Sequence, residues 1–286
     1  MNYIITTDTT SDLPIEYLKD HDINLLSFNY SVDEITYDID NELPYKDFYN
    51  KMRDGASPKT SQVNPEYAKN FFQKLIDKYD LDILHIGFSS GLSGSHNNTR
   101  LAALEVMEAN PGRKIIVVDS LGASLGQGLL VHKAIGLKNS GKTIDEVHNW
   151  VEENKLNVCH YFTVDDLVYL FRGGRVSKTS AFAAGVLNIK PVLHIDNEGH
   201  LVPLSKVRGR KKSLKELADI MENRMLPGEE DVFISHSDCI EDAELLAKNI
   251  KERFGIEVLI INHIGPTIGA HTGPGTISLF FMGRER

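Results

Sequence analysis

Short apolar runs alternate with segments of helical periodicity through the first half of the chain. Residues 3–7, 23–30, 83–89 and 114–118 predict strands. Ile115-Ile116-Val117-Val118 is apolar on both faces, as a central parallel strand requires. Between these runs, residues 65–79 carry two adjoining helical rows, Tyr67, Phe71, Leu75 and Ala68, Phe72, Ile76. Residues 95–109 and 123–138 predict two more helices. The second is apolar around most of its circumference, which predicts burial. Thr143-Ile144-Asp145-Glu146 is a capping box that opens another helix. Strands alternating with helices of this length predict a parallel sheet with helices on both faces, a three-layer α/β/α unit.

The pattern changes near Asn157. Residues 158–163 and 189–195 predict strands, and Asp196-Asn197-Glu198-Gly199 turns the second back into 200–207 as a hairpin. Apolar rows at 214, 217, 218, 221, 225 and at 243, 246, 247, 250, 254 predict helices over 214–225 and 242–254. Residues 232–235, 258–264 and 276–282 complete the strands. An antiparallel hairpin beside crossover helices predicts a mixed sheet. The expected organisation is an N-terminal α/β domain over 1–156 and a C-terminal mixed α/β domain over 157–286. No flexible linker separates them, so a tight interface is expected.

Composition narrows the classes of function. The 286 residues are 41 % hydrophobic and 25 % charged, the balance of a soluble globular protein. Net charge is −9, which argues against non-specific binding of nucleic acid. The charge is uneven: residues 1–60 hold 12 acids and 5 bases, while 205–215 hold six bases and no acid. A basic run at a helix start is read as a solvated face, with a nucleic-acid or regulatory contact through 208–215 as the competing reading. No apolar run approaches the roughly 18–20 residues of a membrane span, and no basic leader precedes Tyr3-Ile4-Ile5. Cys159 and Cys239 cannot build a disulfide framework or a cysteine zinc site, so a cytoplasmic setting is expected.

Three polar segments stand where a parallel sheet presents ligand-binding loops. They are Lys59-Thr60-Ser61-Gln62, Ser89-Ser90-Gly91-Leu92-Ser93-Gly94-Ser95 and Gly269-Ala270-His271-Thr272-Gly273-Pro274-Gly275. In the second, glycines allow close approach of backbone to a ligand, and Ser95 opens a helix whose N-terminus attracts anions. Capping of that helix by Ser93 and Ser95 is the alternative, and it uses the same groups. Thr60 and Ser61 likewise suit a helix start. His271 lies in a glycine-rich stretch expected to be a flexible loop, where it serves either a ligand or a turn. Arg172-Gly173-Gly174-Arg175 sets two guanidinium groups about a turn, suited to a carboxylate or phosphate or simply to solvent. The dinucleotide fingerprint and the phosphate loop are both missing. Gly122-Ala123-Ser124-Leu125-Gly126 matches the nucleophile elbow of a serine hydrolase, the alternative activity. However, Asp119-Ser120-Leu121 separates it from its strand. The better reading has Ser124 begin a helix packed on a neighbour that requires small residues.

These segments in this order, with Arg-Gly-Gly-Arg between the last two, resemble the DegV family, the fatty-acid-binding subunits of bacterial fatty acid kinase. Thr7-Asp8-Thr9-Thr10-Ser11-Asp12, Val118-Asp119-Ser120 and Val207-Arg208-Gly209-Arg210-Lys211-Lys212 extend the resemblance along the whole chain. It implies two α/β domains with a lipid tunnel between them. It also implies a carboxylate site at Thr60, Ser61, Ser93 and Gly94 with His271 nearby, and Arg172, Arg175, Arg208 and Arg210 facing a partner or phosphate. The chain would be a carrier with no cofactor or nucleotide site of its own. A partner kinase would use ATP to convert the bound long-chain fatty acid to acyl phosphate for phospholipid synthesis, with transient membrane contact and no nucleic acid involved. Two departures stand out: Val63-Asn64 precede Pro65, and Ser93-Gly94-Ser95 replaces the familiar Ser-Gly-Thr. The physics suits such a carrier. About 15 methylenes at about 0.8 kcal/mol each place on the order of 12 kcal/mol in an apolar tunnel. The carboxylate must then be hydrogen-bonded or take up a proton.

Overall fold

The computed structural model describes residues 3–176 and 188–286. Its first sheet is parallel throughout, in the order β2 (Asn24–Leu26), β1 (Tyr3–Asp8), β6 (Asp82–Gly87), β7 (Ile115–Asp119). Side chains alternate across it with the period of two that strands impose. Ile4, Ile83 and Ile115 pack under α3 (Pro65–Tyr79) and α4 (Ser95–Ala109). Tyr3, Ile5, Leu84, Ile86 and Val118 face α5 (Leu125–Asn139) and α6 (Ile144–Asn154) on the other side. The expected capping box is formed: Thr143 Oγ1 accepts from Glu146 N while Glu146 accepts from Thr143 N.

A turn at Lys155–Asn157 leads into the second sheet. Its order is β10 (Leu201–Arg208), β9 (Ile189–Ile195), β8 (Val158–Thr163), β13 (Ile277–Met282), β11 (Val232–His236), β12 (Ile260–His263). β11 and β12 pair in parallel and every other neighbour is antiparallel, so the sheet is mixed as expected. Cys159, Tyr161, Leu279 and Phe281 point toward α8 (Arg210–Arg224) and α9 (Ile240–Phe254). Val158, Phe233, Phe280 and Met282, on the opposite face, join the cluster around α5. One helix therefore serves as the core of both sheets. That explains why Leu125, Leu129, Leu130, Val131 and Ala134 are all buried, without the polar stripe of a surface helix.

The structure departs from the sequence reading in three places. Residues 23–30 are not one strand. β2 ends at Leu26, the chain crosses at Phe28, whose N–H donates to Thr9 Oγ1, and β3 (Tyr30–Val32) enters a third, small antiparallel sheet. That sheet has the order β4 (Ile35–Tyr37), β3, β5 (Lys59–Thr60) and is covered by α2 (Tyr45–Arg53). The helix expected at 214–225 begins earlier, at Arg210. The stretch expected as a glycine-rich loop contains α10 (Pro266–Thr272), with Pro266 at its first turn and Gly273 at φ 78° ending it.

Arg286 fastens the two sheets together at one edge. Its guanidinium donates to the carbonyls of Ser120, Leu121, Lys155, Val158 and Asp196 at 2.6–3.3 Å. Burial lowers its pKa to about 10, which leaves it charged at neutral pH. All five N–H donors of a planar fork are used, a pattern a lysine head cannot reproduce. Arg286→Lys is expected to cost roughly 2–4 kcal/mol in a urea titration, because at least two buried carbonyls lose their partner. With a shared helix as core, Trp150 fluorescence and far-UV circular dichroism should report one coincident transition. Two separate transitions would contradict the shared core.

Candidate functional site

The carboxyl ends of β1, β6 and β7 deliver three loops to one place, where an open α/β sheet binds its ligands. Two buried aspartates brace them. Asp8 accepts from Thr10 N, Thr10 Oγ1, Gln127 Nε2 and Phe88 N, which joins the ends of β1 and β6 to α5. Asp12 accepts from Gly265 N at 3.0 Å and pairs with Ser124 Oγ, which reaches across to the second sheet through Ser235 Oγ. Burial raises both pKa values, that of Asp12 to about 8. These residues, in the first of the motifs, are scaffold.

The loop after β6 meets the turn between β9 and β10. Ser89 Oγ donates to the Gly199 carbonyl at 2.9 Å, and a Cβ on Gly91 would lie 2.5 Å from the Glu198 carbonyl oxygen. Only glycine permits that approach. Behind the loop lies a cavity of about 230 Å³. Phe28 and Phe88 wall it from the first half of the chain, and Phe162, Ile195, Ile264 and Phe280 from the second. These wall residues were legible in the sequence only as core, because a strand residue that faces a cavity has the same period as one that faces a helix.

Polar groups line the wall as well, Ser124, Thr267, Thr272 and Ser278 among them. Thr60, Ser61, Ser93, Arg175 and His271 all line the cavity. Thr60 Oγ1 and His271 Nε2 share a hydrogen bond of 2.8 Å. Burial, reinforced by the charge of Arg175, lowers the His271 pKa to about 4, so the ring is neutral at pH 7. Its Nδ1 has no partner among the described residues. Ser93 Oγ accepts from Ser95 N at 3.2 Å and lies 2.8 Å from Ser95 Oγ, so Ser93 takes the first N–H of α4, whose N-cap is Gly94, and also lines the cavity. The two readings of this serine are compatible. Gly94 stands behind: a Cβ there would lie 2.9 Å from the Gln62 amide, so its role is clearance.

Thr60, Arg175 and His271 also border an outer recess of about 350 Å³, and Arg172, at the end of α7 (Val168–Arg172), lines that recess. Arg208 is exposed at the end of β10. Arg210 is otherwise engaged. Its Nε lies 2.9 Å from Asp242 and its Nη1 3.7 Å from Asp165, so a partner or phosphate at this residue would compete with two carboxylates of the second half.

Ser124 is the residue preceding α5, at φ 55°. Its hydroxyl donates to the carboxyl of Asp12 and lies 2.9 Å from Ser235 Oγ, and no histidine is among its hydrogen-bond partners in the described residues, so the serine–histidine pair of the hydrolase elbow is not formed. The flanking glycines have a different explanation. A Cβ on Gly122 or Gly126 would lie 2.7 or 2.0 Å from Cε1 of His160, so these glycines make room for that imidazole. His160 is the neighbour that the small residues imply. The sequence reading did not single it out, since one histidine in an apolar strand looks like core.

The comparisons agree with this architecture. A family model described as "Uncharacterised protein, DegV family" matches residues 2–284. A DegV domain-containing protein from Clostridium perfringens is 47 % identical over 98 % of this chain and 97 % of its own. Among solved structures, a DegV lipid binding protein from Thermotoga maritima is 30 % identical with a TM-score of 0.86, each chain covered in full. A structure described as fatty acid binding of a DegV family protein from Thermus thermophilus is 29 % identical, covers 99 % of this chain and 100 % of that one, and has a TM-score of 0.87. With a family match over nearly the whole chain and a relative at 47 % identity, this protein belongs to the DegV family.

Proposed function

We propose that this protein binds a long-chain fatty acid and presents its carboxylate to a partner kinase. The observation that carries this reading is a cavity walled by aromatic and aliphatic residues of both halves of the chain, on which Thr60, Ser61, Ser93, Arg175 and His271 converge. Methylenes gain about 0.8 kcal/mol each on entering such walls. The headgroup finds hydroxyl donors, a neutral imidazole and one partly buried guanidinium. The fatty-acid-binding relative from Thermus thermophilus supports the assignment of ligand class. With ATP supplied by the kinase, a carboxylate oxygen would attack the γ-phosphorus, ADP would leave, and an acyl phosphate would form for phospholipid synthesis. The carrier's part is positioning and charge stabilisation. No helix among the described residues is long and apolar enough to cross a membrane, and the reading places the protein in the cytoplasm.

Arg172 in the outer recess and exposed Arg208 are the proposed contacts for the kinase. Lys211 and Lys212, exposed in the first turn of α8, follow Arg208 closely in the chain and add to its basic charge. Bases at a helix N-terminus oppose the helix dipole, which suits a surface kept for an acidic partner or anionic lipid headgroups.

Organic extraction and mass spectrometry of protein purified from a bacterial host should recover fatty acid near one equivalent. After delipidation, Thr60→Ala combined with Ser93→Ala should weaken binding of palmitic acid at least about tenfold, since a bond to a charged group is worth roughly 1.5–3 kcal/mol. Undiminished binding would mean the headgroup lies elsewhere.

The pH dependence has a definite sign. A carboxylate beside His271 raises its pKa above the value of about 4 in the free protein, so the complex takes up a proton that the free protein does not. Affinity for the ionised ligand should therefore increase as pH falls from 7 toward 5, while His271→Gln flattens this slope. A slope unchanged in the variant would assign the titration to another group.

A further inference from the structure

Helix α2 meets two parts of the molecule with two neighbouring stripes of side chains. Phe48 and Met52 pack with Tyr30 and Val32 of the small sheet, in which Tyr30 pairs with Thr60 of β5. Tyr45, Tyr49 and Arg53 follow one another at four-residue spacing and form the second stripe. Each of these three reaches the end of a strand in the second sheet. Tyr45 stacks on His263, the last residue of β12, with ring centroids 4.8 Å apart. The Tyr49 hydroxyl donates to the carbonyl of Ile264, the next residue, at 2.7 Å. Arg53 donates to the carboxylate and the carbonyl of Asp238, just after β11, at 2.5 and 3.2 Å.

Tyr49 is the fully buried member of the stripe, and Ile264 is buried with it. A Cβ on Gly269 would press on the Tyr49 hydroxyl, so the backbone of α10 closes directly on this side chain. Ala270 of α10 joins the same apolar cluster as Tyr49 and Phe48. His271 follows immediately. The bond between Thr60 and His271 therefore joins two elements, β5 and α10, that both rest on α2. With two and seven residues, these elements are too short to hold their positions unaided. Apolar packing is non-directional, whereas a hydrogen bond fixes distance and angle.

We propose that Tyr49 is the positioning residue of the headgroup site. Its bond to the Ile264 carbonyl sets the spacing of α2 and α10, and so holds Thr60 within reach of His271. Tyr49 is not among the residues that line the cavity, so it acts on a ligand through those two groups. Its effect on a ligand rests on the fatty-acid reading above, while its effect on His271 does not.

The test uses the full chain after delipidation, titrated with palmitic acid, together with the ring-nitrogen resonances of His271. Tyr49→Phe keeps the ring and deletes the bond. Gly269→Ala keeps the hydroxyl, sets a methyl against it and gains helix propensity. Both are expected to move the His271 Nε2 resonance toward its position in Thr60→Ala and to weaken palmitic acid binding about fivefold. Combined with Thr60→Ala, Tyr49→Phe should add less than about twofold, because the pair it positions is already broken. Tyr17, whose hydroxyl lies 2.7 Å from His132 Nδ1, lines neither the cavity nor the outer recess. Tyr17→Phe should leave both readouts unchanged. The inference is overturned if Tyr49→Phe leaves the His271 resonance in place, or if its effect on binding adds in full to that of Thr60→Ala. It is also overturned if Tyr17→Phe produces the same shift, which would assign the effect to stability alone. If palmitic acid does not bind the wild type while the resonance moves as expected, the fatty-acid reading fails and the positioning role stands.

Discussion

The burial of the first two turns of α5, Leu125–Val131, on every side is the constraint from which the rest of the structure follows. A helix with one apolar stripe can serve a single sheet, whereas α5 fills the space between two. Leu125, Leu129 and Leu130 contribute to a cluster drawn from both, each worth about 1.5–3 kcal/mol when fully buried. Neither sheet can complete its core without it. The bonds from Arg286 to carbonyls on both sides act at the edge of this arrangement. They fix a separation that the packing of α5 already determines.

The cavity arises where that packing stops. Before α5 begins, Ala123 and Ser124 carry too little side-chain volume to fill the gap between the sheets, and both line the cavity directly. Aromatic residues then wall the space from both sides. The braces at Asp8 and Asp12 are needed here because loops without a packed core beneath them require another source of order. Each carboxyl accepts backbone N–H groups from a distant part of the chain. Burial that raises the pKa of each weakens its cost, since a carboxyl that takes up a proton carries no charge to desolvate.

How much of this was legible in the sequence depended on the kind of signal. Strands β8 and β9 and helices α3 and α4 have the bounds that their periodicity predicts, because each buries one defined face. The transfer of the chain from β2 to β3 was hidden, since an apolar run does not show which sheet its residues join. Helix α10 was hidden by its composition: Gly269 and two threonines lower helix propensity, and its packing on Tyr49 is tertiary. At the candidate site, Thr60, Ser61, Ser93 and His271 were marked by polar residues where loops were expected, and the structure brings all four to one cavity. The ion pair of Arg210 was hidden because charge in a sequence does not reveal an acid such as Asp242 that lies far along the chain. His160 left an indirect trace, the Gly-x-Ser-x-Gly spacing whose glycines it occupies.

On the proposed reading, the chemistry of the polar end also suits a site whose lining arginine among the described residues, Arg175, is only partly buried. A carboxylate locked in a bidentate pair with a fully buried arginine would be held firmly, but its lone pairs would be committed to the fork. A carrier has to hold the same group and leave an oxygen free to attack phosphorus. Hydroxyls from Thr60 and Ser93 satisfy part of the hydrogen-bonding demand without neutralising the charge. His271, neutral in the free protein, can become charged only when negative charge is beside it. Arg175 and Arg172 stand at and beyond this boundary, the latter in the outer recess. Positive charge so placed favours the phosphoryl group during transfer more than the carboxylate before it, which is the differential stabilisation that catalysis by a partner requires.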